Sequence, residues 1–361
     1  ITKSPFFLGY APALAIGAVS VLIATGWAAH SALTRPGPVW AALLLGVPLL
    51  LWRHSQFDES YFGFYAYAPG LRADFHAPSP SVKFIDEKQS DHGRIVGWGN
   101  NLFPSYNTAL GWESLYGVDA LRNQYYNELA MEFGMERVWF WDAYSDEKKS
   151  PQLVPVQDML NVTHYVATKR ELPHPIAELE WIAQQDFDVY RSPRAWPRAF
   201  FTDRLAAYAN VKEFAAMVRN GDRRAFAAVQ AEQKIAAPLP ATLTDRIVTP
   251  AQNYRLTSNT TSFTLDAGSP GIAVLTEAFY AEDFRVTLNG ERVPYFRVNH
   301  AFKGIMIPAA GRYEVKFAYW PQHFEYALGL CALGWLLLAI GAFWLARTPP
   351  VAPRSELPST L

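Results

Sequence analysis

The chain has 361 residues and a formal net charge of −1, with 32 Lys and Arg against 33 Asp and Glu. A length of that order predicts two or three folded units rather than one core. The balanced charge offers no basic stripe and excludes a nucleic-acid binder, and the single cysteine excludes a disulfide framework within the chain.

The mean hydropathy of −0.04 conceals a strong segregation of apolar residues. Residues 6–29, 36–52 and 326–346 contain no Asp, Glu, Lys or Arg. A helix needs about 20 apolar residues to cross about 30 Å of hydrocarbon. The first and third stretches meet that length. The second is shorter and reads either as a short span or as a re-entrant segment; Trp40 and Trp52 near its ends suit interfacial anchors and favour a span. A signal peptide fits the first stretch poorly: its n-region would be Lys3 alone, and another apolar segment follows instead of a mature domain. The chain begins with Ile1 rather than Met, which suggests a truncated or processed product. The link His30 to Gly37 carries Arg35 and no acid, and the tail has Arg347 and Arg354 against Glu356. The positive-inside rule places both in the cytoplasm and the large intervening domain on the other side. The expected order is therefore two membrane helices with a short cytoplasmic link over 1–57, an aromatic interfacial linker over 58–80, and a last membrane helix over 323–347. A Pro- and Ser-rich tail over 348–361 is expected to be disordered.

Between the spans the expectation is an α/β domain over 81–240, with a connector helix, and then a small antiparallel β-sandwich over 241–322. In chain order, a short helix starts near Ser81, its cap, and a short strand follows at Arg94 to Trp98. A helix over 121–133 shows Leu121, Tyr125, Leu129 and Phe133 spaced by four. Another helix begins at Pro155, and a strand covers Thr163 to Thr168. Residues 179–183 and 187–190 form a strand pair, 199–202 a further strand, and 211–220 an amphipathic connector helix. Beyond Thr242 the period becomes two: Phe284, Val286 and Leu288 alternate with Arg285, Thr287 and Asn289, and Tyr313, Val315 and Phe317 with Glu314 and Lys316. Asn289-Gly290 is a strong hairpin signal, because both turn residues need positive φ. Several short strands of this spacing indicate a sandwich.

The chemistry-bearing motifs are few. The 8 histidines are scattered, with no HExxH and no Cys pair, so neither a metal site nor a cofactor is evident. There is no G-x-S-x-G elbow and no phosphate loop; Gly97 and Gly99 read as a tight turn after a strand. One segment is dense in amides, carboxylates and rings: Asn101, Asn107, Glu113, Asp119, Arg122, Asn123 and Tyr125. Carboxylates and amides bind sugar hydroxyls, and aromatic rings stack on the apolar sugar face, so these are the candidate substrate-binding residues. Glu113 and Asp119 are candidates for an acid/base pair. The competing reading, favoured residue by residue, is turn formation and capping, which use the same residue types. A second candidate group is Asn299 and His300 with Glu282 and Asp283, against a reading as solvent-facing scaffold.

The run from Val274 to Pro294, then Asn299-His-Ala-Phe302, Pro308-Ala-Ala-Gly311 and Val315-Lys-Phe-Ala-Tyr319, resembles the C-terminal signature of YfhO-type bacterial membrane proteins. The stretch Arg94 to Ala120 and the strand Pro197 to Phe201 resemble the same family. The chain departs from the pattern at Ala281 and Glu282, where the family has Pro-Gly, and at Phe284, where it has Trp. The family is similar to polytopic membrane glycosyltransferases of the GT-C type. The resemblance, which covers about 78–345, implies a bacterial cytoplasmic membrane location and a polyprenyl-phosphate-sugar as donor. It implies a cell-envelope polymer as acceptor, with the exposed domain on the periplasmic or extracellular side. The expected partners are the lipid bilayer and a glycan or lipid-linked sugar. The acidic first loop of such enzymes has no counterpart in the His30 to Gly37 link, so the chain resembles the C-terminal part and no catalytic residue carries over. The alternatives are a non-catalytic envelope protein that binds glycan or protein partners, and an assembly scaffold.

Overall fold

A computed structural model describes residues 30, 79–88, 92–98, 101–102, 107, 110–115, 123–135, 147–172, 174–233, 235 and 245–347. The expected first two spans, nearly all of the interfacial linker and the tail over 348–361 lie outside the described residues, as do Asp119 and Arg122. The chain divides into two compact units, one over Asp74–Gln322 and one that includes His323–Leu361.

In the larger unit the elements are α1 (Pro80–Lys88), β1 (Arg94–Gly97), α2 (Gln124–Glu132), α3 (Ser150–Met159), β2 (Val162–Thr168), β3 (Glu180–Gln184) and β4 (Phe187–Arg191). They continue as β5 (Ala199–Thr202), β6 (Leu205–Tyr208), α4 (Val211–Asn220), β7 (Ala227–Gln230), β8 (Val248–Pro250) and β9 (Gln252–Leu256). The chain then runs through β10 (Thr260–Ala267), β11 (Gly271–Ala278), β12 (Phe284–Leu288), β13 (Glu291–Arg292), β14 (Phe296–Val298), β15 (Phe302–Ile307) and β16 (Gly311–Tyr319).

The unit is β-rich. An outer antiparallel sheet has the order β13-β12-β16-β10-β9, and a central antiparallel sheet the order β14-β15-β11-β5-β8. Phe263, Val286, Val315 and Phe317 of the outer sheet share one apolar core with Phe201, Leu275, Ile305 and Ile307 of the central sheet. The outer strands alternate between buried and open positions, as β12 and β16 do around Val286, Leu288, Val315 and Phe317. The period-2 pattern is therefore that of a sheet with one wet face. Asn289 and Gly290 have φ of 52° and 86°, which is the mirror-image turn that the right-handed strand twist requires.

The central sheet behaves differently, because both of its faces are covered. Phe200 of β5, Ile272 and Val274 of β11, and Phe302 of β15 face a second, larger core that includes Leu129 of α2, Leu153 of α3 and Phe214 of α4. In β5, Ala199 and Phe201 point into the two-sheet core and Phe200 points the other way. This corrects the expected boundary near 240: the strand over 199–202 pairs with β11 and β8 and is an inner strand of the sandwich sheet. The reason is long-range pairing between segments about 70 residues apart in sequence, which local periodicity does not record.

On the far side of the large core lies a four-stranded mixed sheet, β1-β2-β4-β3, with β1 parallel to β2. Its Tyr165 and Tyr190 face that core, and its Ile95, Val166 and Val189 face α1 through Val82 and Ile85. The helix α1 begins at Pro80, just ahead of the expected start at Ser81. Ser79 accepts from the Val82 amide at 3.3 Å, while Ser81 is buried and its Oγ accepts from the Phe187 amide at 3.1 Å. A parallel pair, β6 and β7, is joined by α4, so the expected connector helix is the crossover that parallel strands need. Asn210 caps α4 by accepting from the Lys212 and Glu213 amides at 3.1 Å, and Glu213 reaches back to the Ala209 amide at 2.6 Å.

In the other unit, α5 (Phe324–Arg347) is a helix of 24 residues. At 1.5 Å per residue it is about 36 Å long. Its segment Phe324–Trp344 is long and apolar enough to cross a membrane, with a mean hydropathy of 2.0.

Candidate functional site

Five of the seven residues expected to bind substrate are described, and each is engaged inside the fold. Asn101 donates to the Trp98 carbonyl at 2.7 Å and to Thr168 Oγ1 at 3.0 Å. Asn107 donates to the Trp112 carbonyl at 3.2 Å. Asn123 caps α2 by accepting from the Tyr126 amide at 2.9 Å, and its Nδ2 donates to the Phe279 carbonyl at 2.7 Å. The Tyr125 ring carries the Arg297 guanidinium at 4.0 Å from its centroid. Glu113 is held by the Arg198 guanidinium. Asn123 and Tyr125 meet Phe279, whereas Asn101, Asn107 and Glu113 each have different partners.

The second expected group also separates. Asn299 is fully buried: its Oδ1 accepts from the Ala228 amide and its Nδ2 donates to the Phe226 carbonyl, both at 2.7 Å, stitching β7 to the turn before β15. His300 meets Glu128 at 3.0 Å and the Tyr208 hydroxyl at 3.3 Å. Asp283 and Glu282 accept instead from the backbone and side chain of Gln322.

Glu113 leads to a buried ionic cluster. Arg198, on the residue before β5, reaches Glu113 and lies 3.7 Å from Glu277 of β11. Glu277 accepts from Lys303 of β15 at 2.9 Å, from the Tyr254 hydroxyl at 2.7 Å and from Thr261 Oγ1 at 3.1 Å. The Lys303 ammonium also sits 3.8 Å from the centroid of Phe284, a cation–π contact. Arg94 donates to the Thr276 carbonyl at 2.8 Å and to the Leu160 carbonyl at 2.5 Å. Three cations, Arg94, Arg198 and Lys303, thus face two carboxylates, Glu113 and Glu277. The Nε and Nη1 atoms of Arg198 are buried without a hydrogen-bond partner among the described residues.

The electrostatics follow from this crowding. Burial pushes the Glu277 carboxyl up, but Lys303 and Arg198 outweigh it and hold the group down at about 2. Burial and the Arg198 charge bring Arg94 down to about 10. A carboxylate kept ionised in this way has no proton to give at neutral pH, so Glu277 cannot serve as a general acid. One oxygen of Glu113 is taken by Arg198, and the Glu113 side chain is 27% exposed.

The sequence reading missed Arg198, Tyr254, Glu277 and Lys303. A signal for three of them was present: Glu277 and Lys303 interrupt apolar strand runs and Arg198 directly precedes one, where a charge survives burial only if paired. Among the described residues no group of His, Cys, Asp and Glu could hold a metal ion.

The chain matches no protein-family model, no curated protein and no solved structure.

Proposed function

We propose that this chain is the C-terminal part of a polytopic bacterial envelope protein related in kind to membrane glycosyltransferases. Its β-rich domain is exposed outside the cytoplasmic membrane and assists acceptor binding. The observation that carries this reading is the apolar helix α5, which begins five residues after the last strand of a folded, water-compatible domain. The sequence resemblance to YfhO-type proteins supports the donor class, a polyprenyl-phosphate-sugar. In this reading the domain binds and positions, and sugar transfer chemistry belongs to another part of the protein.

A second reading, a non-catalytic envelope protein that binds glycan, is favoured by one observation: Glu113 is committed to Arg198. Both readings predict binding and differ over transfer. The test uses membranes carrying the protein, a labelled polyprenyl-phosphate-sugar and the isolated envelope polymer. Transfer of label that is lost when the gene is deleted supports the first reading. Polymer binding without transfer supports the second, and neither binding nor transfer removes both.

A further inference from the structure

A cleft of about 550 Å³ opens on the mixed sheet, and its described lining includes none of Arg94, Glu113, Arg198, Glu277 and Lys303. It is walled by Lys88 at the end of α1, Gly93 before β1, His164 near the start of β2, and Arg191 with Ser192 at the end of β4. Phe84 and Ile182 give it an apolar side. The size is that of a small-molecule site, apolar over part of its wall with a few convergent polar groups.

Among the described residues the charge of the wall is one-sided. Among the described lining residues there are two cations, a histidine and two hydroxyls, and no carboxylate. Lys88 makes no ion pair with a described residue, and it lies on the surface. Arg191 meets Glu180 at 2.7 Å, but both side chains are about half exposed, at 54% and 47%. An exposed pair of that kind holds its partner weakly and gives way to a better anion. The carboxylate that Ser192 touches, Asp158, is fully buried and paired with Arg223 at 2.7 Å, so it does not oppose an anion in the cleft.

The histidine is built in rather than merely present. His164 Nδ1 lies 3.0 Å from Thr163 Oγ1, which fixes the ring. Gly93 is what allows this arrangement, since a Cβ there would lie 2.1 Å from the same Thr163 oxygen. Where Nδ1 accepts from the Thr163 hydroxyl, the neutral ring carries its proton on the other nitrogen, which can then donate to an anion in the cleft.

We infer that this cleft binds a small organic anion, its phosphate or carboxylate group held by Lys88, Arg191 and the His164 ring, with the carbon skeleton against Phe84 and Ile182. This is a site separate from acceptor binding, and it stands or falls without that reading.

The test uses the full chain in detergent or nanodiscs, titrated calorimetrically with inorganic phosphate, a hexose 1-phosphate and glucuronate. Saturable binding is expected for at least one of them, with the organic anion tighter than phosphate alone. Selective binding of the hexose phosphate assigns a phosphate ester, and selective binding of glucuronate a carboxylate. The K88Q/R191Q double variant changes two exposed side chains; its binding is expected to fall roughly tenfold or more at unchanged thermal stability. A Lys316→Gln control, on an outer strand, is expected to bind as wild type. Ring-carbon NMR of His164 provides a second readout: its signal moves on titration with the ligand. Absence of saturable binding for all three probes overturns the inference, as does equal affinity in the double variant.

Discussion

The Lys303 ammonium, 2% exposed, donates at 2.9 Å to the Glu277 carboxylate, 15% exposed, across the neighbouring strands β15 and β11. Removing Glu277 leaves Lys303 buried without its carboxylate, and removing Lys303 takes the nearer cation from Glu277 and leaves it Arg198 at 3.7 Å. Lys303→Met is therefore expected to destabilise the domain by about 3–5 kcal/mol. The double variant Lys303→Met with Glu277→Gln is expected to recover part of that loss, since the buried carboxylate that lost its nearer cation is gone. Urea unfolding of the two single variants and the double variant measures the coupling. Strictly additive losses would show that the pair is not one energetic unit.

Glu277 and His164 are two of the groups that contribute to the acid stability of the domain. Glu277 is held at about 2 against an ordinary 4.5, so its contribution is full above 4.5 and disappears as the pH falls toward 2. His164 is pushed down to about 4 from 6.5, first by burial and then by the Arg191 charge. The unfolded chain therefore takes up that proton before the folded one. Stability from His164 is full above 6.5 and is lost as the pH falls from 6.5 to 4, by up to about 3 kcal/mol. The checking measurement is the urea midpoint at pH steps from 8 to 4 for wild type and His164→Gln. The variant is expected to have the shallower slope between 6.5 and 4, and superimposable slopes would disprove the assignment.

Asn299 serves two backbone groups of the β7 region, with φ of 49°. Asn299→Ala leaves a buried N–H and a buried C=O without partners in a conformation that alanine dislikes. A loss on the order of 2–4 kcal/mol is expected. Asn299→Asp, which keeps the acceptor and lacks the donor, is expected to be destabilising as well, with an amide-exchange loss at Ala228 smaller than in the alanine variant. Hydrogen exchange at that amide distinguishes the cases.

Gly97 and Gly268 give a matched comparison. A Cβ on Gly97 would lie 1.5 Å from the Asn101 carbonyl oxygen, whereas nothing lies within 4 Å of one on Gly268. Gly97→Ala is expected to cost at least about 2 kcal/mol through forced backbone movement. Gly268→Ala is expected to stay within about 0.5 kcal/mol of wild type. Equal melting temperatures for the two variants would contradict the close approach at Gly97.

The lone cysteine, Cys331, lies in α5 with its side chain open to the surroundings. If α5 crosses a bilayer, lipid shields that thiol. A membrane-impermeant maleimide is expected to leave it unlabelled in intact membranes and to label it after detergent unfolding. Rapid labelling in sealed vesicles from either side would rule out a spanning helix.

Local sequence was sufficient for several elements. The uninterrupted apolar run from Tyr326 to Ala346 specified α5, because a helix satisfies its own backbone and needs no distant partner. Asn289-Gly290 specified a hairpin, and the alternation in β12 and β16 specified strands with one covered face, since a period of two is written in the residues themselves. The amphipathic α4 was equally legible. What tertiary structure alone decided is which segments meet. Strand β11 is buried along Gly271–Thr276 without alternation, because the outer sheet covers one face and the helical layer the other. Strand β5 belongs with β11 although a long stretch of chain separates them. For the same reason the particular carbonyl partners of Asn101, Asn107 and Asn123 had no local signature, and the charges Arg198, Glu277 and Lys303 came together from three separate strand regions. Periodicity reports the environment of a residue along its own element; hydrogen-bond and ion-pair partners are set by sheet pairing across the chain, which leaves no local pattern to read.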